Sequence, residues 1–212
     1  MAEKLKPLSA GWLLAIIYAV GVAGFLFTQT RPIMIQLVWV NLLLTMLTLL
    51  AYHKKWTREF VLAALMVGAC GFLIEVLGVN TGWIFGYYQY GPTLGYDIWN
   101  TPLMMFVNWL TTVYITRQTA ELMAKDTVLV CFIASALMVL LDYFIEPFAI
   151  KNGMWLWNGV DVPVQNYVAW LVFGFILQYL FAKAVKFPTN KLSLPVYLIQ
   201  LAFFVALYLF QK

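Results

Sequence analysis

The sequence predicts an all-α, polytopic membrane protein of about seven transmembrane helices, with an internal parallel repeat in which helices 3-4 recur as helices 5-6. Three observations predict it. Of 212 residues, 64% are apolar and only 10% charged, against about 45-50% and about 25% in soluble domains. The apolar residues fall into runs of about twenty, the length that crosses a bilayer. One pair of runs recurs downstream with the same spacing. This composition excludes a soluble enzyme, a disordered tail and a nucleic-acid module. The net charge of +4 comes from 13 Lys and Arg, scattered between apolar runs as loop charges are in membrane proteins. Residues 1-212 read as a single integral membrane domain.

Taken in order, the runs bounded by charge, Pro or Gly predict helices over 8-27, 33-52, 60-80, 101-116, 127-148, 166-183 and 193-210. The first follows Lys4 and Lys6, as a signal peptide would, but a second span follows almost at once, which favours an uncleaved helix. The second ends at His53-Lys54-Lys55, where His53 is expected to be a solvated interfacial residue. The third contains Cys70 and Glu75. The fourth is short and stops before Arg117. The fifth holds Cys131, Asp142 and Glu146, and the sixth follows Val162-Pro163. The seventh has no Lys, which excludes a retinal Schiff base. Cys70 and Cys131 lie inside apolar runs and read as small hydrophobes, poor disulfide candidates. With His53 the one histidine, a histidine-ligated metal cluster is excluded and no metal site is expected.

Seven helices alternate sides, so the loop charges set an orientation. Lys4, Lys6, Lys54, Lys55, Arg58, Arg117, Lys125, Lys183, Lys186 and Lys191 gather on one side, against only Arg31, Lys151 and Lys212 on the other. The positive-inside rule then expects the N-terminus in the cytoplasm and the C-terminus outside, in a bacterial-type inner membrane.

The repeat locates a site. Phe72-Leu73-Ile74-Glu75, with Gly82 seven residues after the Glu, recurs as Tyr143-Phe144-Ile145-Glu146 with Gly153 at the same interval. Pro102 is followed by Phe106, Val107, Trp109 and Leu110, and Pro163 by Tyr167, Val168, Trp170 and Leu171, at identical spacing. Both copies enter the membrane from the same side, so their pseudo-two-fold axis is expected along the membrane normal. Glu75 and Glu146 then lie at matching depth and approach each other. Asp142 breaks the symmetry: it sits one turn from Glu146 on the same helix face, where the first copy has Gly71.

An ionisable side chain within a span costs about 2.5-3.5 kcal/mol even on lenient insertion scales, so three carboxyls on two helices ask for a reason. No Lys or Arg lies in the predicted spans to pair with them, and dry, cation-free surroundings favour the neutral acid that general acid catalysis needs. The plainer reading is polar glue, with the carboxyls bonded to Asn108, Asn166 or a Tyr across helices. Two loops above the acids are mostly aromatic and Gly: 81-91, with Trp83, Tyr88 and Tyr90, and 152-158, with Trp155 and Trp157. An interfacial aromatic belt would explain them. So would a pocket for a long apolar substrate, whose aromatic faces stabilise a carbocation. An aspartate-rich Mg²⁺ motif, a P-loop and a dinucleotide fingerprint are all missing. Cofactor-free acid chemistry on a lipid-soluble molecule survives, as does ion movement.

At this point the residues resemble a family. Glu75, Gly78-Val79, Thr81-Gly82, Phe85-Gly86-Tyr87-Tyr88-Gln89-Tyr90, Leu94-Gly95, Pro102 and Trp109, then Asp142, Glu146-Pro147, Trp155-Leu156-Trp157, Val162-Pro163, Asn166 and Trp170, are similar to the carotenoid biosynthesis membrane proteins that include the carotenoid 1,2-hydratases. Thr101-Pro102 departs from the family's usual Val-Pro. The resemblance implies a carotenoid substrate with an acyclic end group, such as lycopene or γ-carotene, no cofactor, contact with membrane lipid, and association with other carotenoid enzymes. It implies a hydratase in which Asp142 or Glu146 protonates carbon 2, a water attacks the tertiary cation at carbon 1, and the second carboxylate takes the water's proton. Glu75 is then the orienter or base, and Asn166 holds the water. Trp83, Tyr88, Tyr90, Asn108, Trp109, Trp155, Trp157, Asn166 and Trp170 are the expected substrate-binding residues. A membrane lycopene cyclase and a proton-coupled transporter using the same carboxylates are the alternatives.

The topology has a direct check. A reporter fused after Lys212 should read outside the cytoplasm and one inserted in loop 53-59 should read cytoplasmic; both on one side would contradict the helix count.

Overall fold

The described residues form seven helices: α1 (Pro7–Leu26), α2 (Arg31–Ala51), α3 (Arg58–Thr81), α4 (Met104–Met123), α5 (Thr127–Lys151), α6 (Val164–Ala184) and α7 (Ser193–Phe210). The computed structural model describes residues 7–159, 161–185 and 190–211. Lys4, Lys6, Lys186 and Lys212, which entered the charge balance, lie outside the described residues. Six helices, all but α4, are long and apolar enough to cross a membrane. Local signals set their ends. Thr57 caps α3 by accepting from the Phe60 N–H at 3.2 Å, and Asp126 caps α5 by accepting from the Leu129 N–H at 2.9 Å. Gly82 ends α3 in the left-handed conformation, φ 69°.

The parallel repeat is present in the packing. Helix α3 packs on α4 as α5 packs on α6, and α4 packs on α5 as α3 packs on α6. The two copies also meet in the loops at one end. Strand β1 (Tyr88–Tyr90) from the first copy pairs antiparallel with a strand at Trp155–Trp157 from the second, in the register Tyr88↔Trp157, Gln89↔Leu156 and Tyr90↔Trp155. A two-fold axis through the central pair exchanges the strands. Between the helices, the equivalent residues Trp109 and Trp170 stack face to face, with centroids 4.2 Å apart and planes 3° from parallel.

Helix α4 occupies the middle, in contact with α2, α3, α5, α6 and α7. It runs Met104–Met123 rather than 101–116, for two reasons. At its start, β2 (Asp97–Ile98) and β3 (Thr101–Pro102) form a tight hairpin that keeps residues 101–102 extended. Its turn residues Trp99 and Asn100 both have positive φ, 53° and 60°, as a two-residue hairpin turn demands. The Asn80 amide pins that turn, donating to Trp99 O and accepting from Asn100, each at 2.9 Å. At its end, polar residues continue the helix because the neighbouring helices, not lipid, surround them. Thr111, Thr112, Thr116, Arg117, Gln118 and Thr119 are buried, and Thr112, Thr116 and Thr119 return their hydroxyls to carbonyls four residues back at 2.6–2.8 Å.

Two expectations at the end of the bundle away from the β1 strand pairing are corrected. Arg117 is not a loop charge: it lies in α4, bonded through Nε to Glu121 at 2.9 Å and through Nη1 to Cys131 Sγ at 3.3 Å. His53 is not solvated: it is buried, stacked on Phe60 at 3.7 Å, with Nδ1 at 2.9 Å from the Tyr114 hydroxyl and Nε2 at 2.8 Å from Lys55 O. The physical reason is the same for both. Each has an internal partner that replaces water.

Candidate active site

Glu75 lies on α3, buried, beneath β1. Its Oε2 accepts from the Tyr88 hydroxyl at 2.6 Å and the Tyr90 hydroxyl at 2.7 Å, and its Oε1 from Trp109 Nε1 at 2.9 Å. Two strand residues, i and i+2, reach one oxygen because both point to the same face of β1. Trp109 reaches the other because Gly71, one turn before Glu75, leaves room: a Cβ at Gly71 would overlap the Trp109 side chain. Burial first, and then the charge of Glu75, hold both phenols well above the usual tyrosine range, so each remains a donor at physiological pH.

Glu146 on α5 repeats the arrangement with different chemistry. Its Oε2 accepts from Trp155 Nε1 at 2.8 Å and Trp157 Nε1 at 2.9 Å. Trp155 and Trp157 are the two-fold equivalents of Tyr88 and Tyr90, so two indoles stand where the first copy has two phenols. The third donor differs. Asn166 on α6 donates to Asp142 Oδ2 at 2.9 Å and to Glu146 Oε1 at 3.3 Å. In the first copy these positions are Gly71 and Met105, which leave Glu75 alone with its three donors. Asp142 is buried, and among the described residues its Oδ1 has no hydrogen bond.

The three carboxyls line one cavity of about 360 Å³. From the repeat, its walls include Tyr88, Tyr90, Trp155, Trp157, Asn108, Asn166 and Trp170. Trp109 is fully buried behind this wall and touches the site through Glu75. Trp83 is not brought to the site: it is 83% exposed, and its backbone carbonyl accepts from Gln165. Aromatic clustering in the sequence did not separate Trp83, which lies in the turn after α3, from Tyr88 and Tyr90, which β1 places on one face.

The remaining walls come from outside the repeat. Helix α1 contributes Ile16, Ile17, Tyr18, Val20 and Gly21, α2 contributes Met34, Leu37, Val38 and Asn41, and α7 contributes Gln200, Phe203 and Phe204. Ile16, Val20 and Leu37 are 59%, 60% and 45% exposed, so the cavity reaches the outer face of the bundle along the α1–α2 seam. The sequence reading missed these residues. Asn41 and Gln200 carry a signal that could have found them, being amides set in spans 33-52 and 193-210. Among the described residues, no group of three or more His, Cys, Asp and Glu gathers as a metal ion requires.

Residues 33–211 match the family described as "Carotenoid biosynthesis protein". Bisanhydrobacterioruberin hydratase of Haloarcula japonica is 29% identical over 116 residues, covering 51% of this chain and 40% of that protein. The chain thus aligns with less than half the length of this relative. No solved structure matches.

The bond from Tyr88 to Glu75 can be measured. A double-mutant cycle of Tyr88→Phe and Glu75→Gln, read by thermal unfolding in detergent, should return a coupling of about 1.5-3 kcal/mol, the range for a hydrogen bond to a charged group. Additive losses would contradict this geometry.

Proposed function

Because the chain belongs to the carotenoid biosynthesis protein family, we propose that it is a carotenoid hydratase, adding water across the terminal 1,2 double bond of an acyclic end group of the lycopene or γ-carotene type. The observation that carries this reading is the unequal treatment of the carboxyls. An indole N–H only donates, so the Trp155 and Trp157 indoles use Glu146 Oε2 as an acceptor twice. Glu75 accepts three times. Asp142 accepts once and keeps an oxygen free on the cavity, where a proton can be held and delivered. The hydratase name of the Haloarcula japonica relative points the same way.

In this mechanism the Asp142 carboxylic acid gives its proton to carbon 2 as the terminal π pair forms the new C–H bond, leaving a tertiary cation at carbon 1. The ring faces of Tyr88, Trp155, Trp157 and Trp170 surround the cation. A water lone pair forms the C–O bond, and Glu146, one turn away and tied to Asp142 through Asn166, accepts the water's proton for return to Asp142. One water is consumed, no electron is transferred and no redox cofactor is required. Glu75, held by three donors, fixes the charge distribution across the cavity. The substrate arrives from the lipid along the α1–α2 seam. A cavity of about 360 Å³ lies near the lower end of the roughly 300–1,000 Å³ that enclose drug-sized ligands, so it takes the end group while the rest of the polyene stays outside.

Expression in a lycopene-producing host, followed by mass analysis of the pigment, tests the reading. A gain of one water is expected. Equal mass with a shortened chromophore would mean cyclisation, and unchanged pigment would favour proton transport through the same carboxyls. Asp142→Asn and Glu146→Gln should each lower hydration about 10²–10⁴-fold with the protein still inserted, because an amide keeps the shape without delivering a proton. Wild-type turnover in both would reduce the pair to polar glue.

A further inference from the structure

The cavity has a polar patch that the acid chemistry leaves unused, on the wall built by α1, α2 and α7. Its hydrogen bonds run in one direction. Gln200 on α7 donates through Nε2 to the Tyr18 oxygen at 3.1 Å. The Thr45 hydroxyl donates to Asn41 O at 2.8 Å, so Thr45 Oγ1 is left to accept the Tyr18 hydroxyl at 3.0 Å. This chain of donors ties three helices together and fixes the turn of α2 that carries Asn41. It uses the Asn41 backbone carbonyl and sets the Asn41 side-chain amide against Tyr18. Asn41 Oδ1 is buried with no partner among the described residues, and the side chain lines the cavity.

A buried amide oxygen without a partner, in a wall that also presents Ile17, Leu37, Val38 and Phe203, asks for an occupant. Ordered water commonly fills that role, bridging polar groups that the protein leaves unsatisfied. Asn108, from α4, lines the same cavity and offers a second amide. Resting on the hydration reading, we propose that Asn41 positions the water that captures the carbocation, with Tyr18, Thr45 and Gln200 holding its helix turn in place. The proton adds to carbon 2 and the oxygen to carbon 1. Acid and nucleophile therefore act on neighbouring atoms, and separate walls let each approach its own. Water enters the balance as in the proposed reaction: its oxygen forms the C–O bond and its proton passes to the carboxylate.

Protonation and capture are separable in D₂O. Wild-type protein in lipid nanodiscs, supplied with an acyclic carotenoid, should yield hydrated pigment carrying deuterium. Asn41→Leu, close to Asn in size, should cut hydrated product about ten- to a hundredfold. Unhydrated pigment recovered from that variant should still gain deuterium, because the cation forms and then loses a proton. The variant also gives up the Asn41 amide beside Tyr18, so its folding is read separately by thermal unfolding. Asn41→Ser, small enough to admit a second water, should hydrate at an intermediate ratio to deuterium uptake, and this ratio decides the matter if the Leu variant does not accumulate. Hydration at the wild-type rate in Asn41→Leu would overturn the proposal, as would parallel loss of hydration and deuterium uptake in a folded variant. Wild-type protein that takes up deuterium without gaining water would instead overturn the hydration reading, and the water site with it.

Discussion

A carboxyl placed inside an apolar bundle has to be surrounded by hydrogen-bond donors, and this constraint organises the structure around the site. Glu75 and Glu146 obtain their donors from loops that fold back over the helix ends. Tyr88 and Tyr90 can reach one oxygen of Glu75, and Trp155 and Trp157 one oxygen of Glu146, only if each loop is extended, so that alternate residues share a face. Two short extended segments have unpaired edges, and pairing with each other satisfies both. The strand pairing, the aromatic content of the loops and the joining of the two repeats follow from one requirement.

Helix α4 meets the same constraint by another route. It is too polar to face lipid along its length, so it sits inside the bundle, and its threonines satisfy themselves on their own helix. Its Trp109 links the repeat axis to the carboxyl site. The ring stacks on Trp170 across the repeat axis while the indole N–H is spent on Glu75. Gly71 makes this possible by giving up a side chain at the position where the second copy keeps Asp142. The symmetry of the fold and the asymmetry of the chemistry thus meet at one pair of equivalent positions.

Most of the helices were legible in the sequence because lipid-facing spans must be apolar for about twenty residues, and α1, α2, α3, α5, α6 and α7 are. The repeat was legible because the glutamates, their following glycines and the two tryptophans keep their intervals. Helix α4 was not. Hydropathy measures what faces lipid, and a helix shielded by five neighbours is free to carry Thr-Arg-Gln-Thr near its end. The hairpin before it was hidden because its turn uses Trp99 and Asn100 at positive φ rather than glycine. His53 and Arg117 looked like loop charges because Tyr114 and Cys131, which bond them inside the bundle, come from other helices. At the site, the carboxyls and most aromatic residues were legible, but the walls from α1, α2 and α7 were not, because nothing in their spacing ties them to the repeat.

The acid function proposed for Asp142 falls in the copy that departs from symmetry. Glu75 and Glu146 each accept three hydrogen bonds, whereas Asp142, which lines the cavity, accepts one, from Asn166. An acid must keep an oxygen free to touch its substrate. The most direct measurement is therefore an experimental structure with an acyclic carotenoid bound. The account predicts the terminal isoprene unit inside the cavity, against Asp142 and the rings of Trp155 and Trp157, with the polyene leaving between α1 and α2. A polyene lying along the outer face of the bundle, with Asp142 sealed from it, would contradict the central claim.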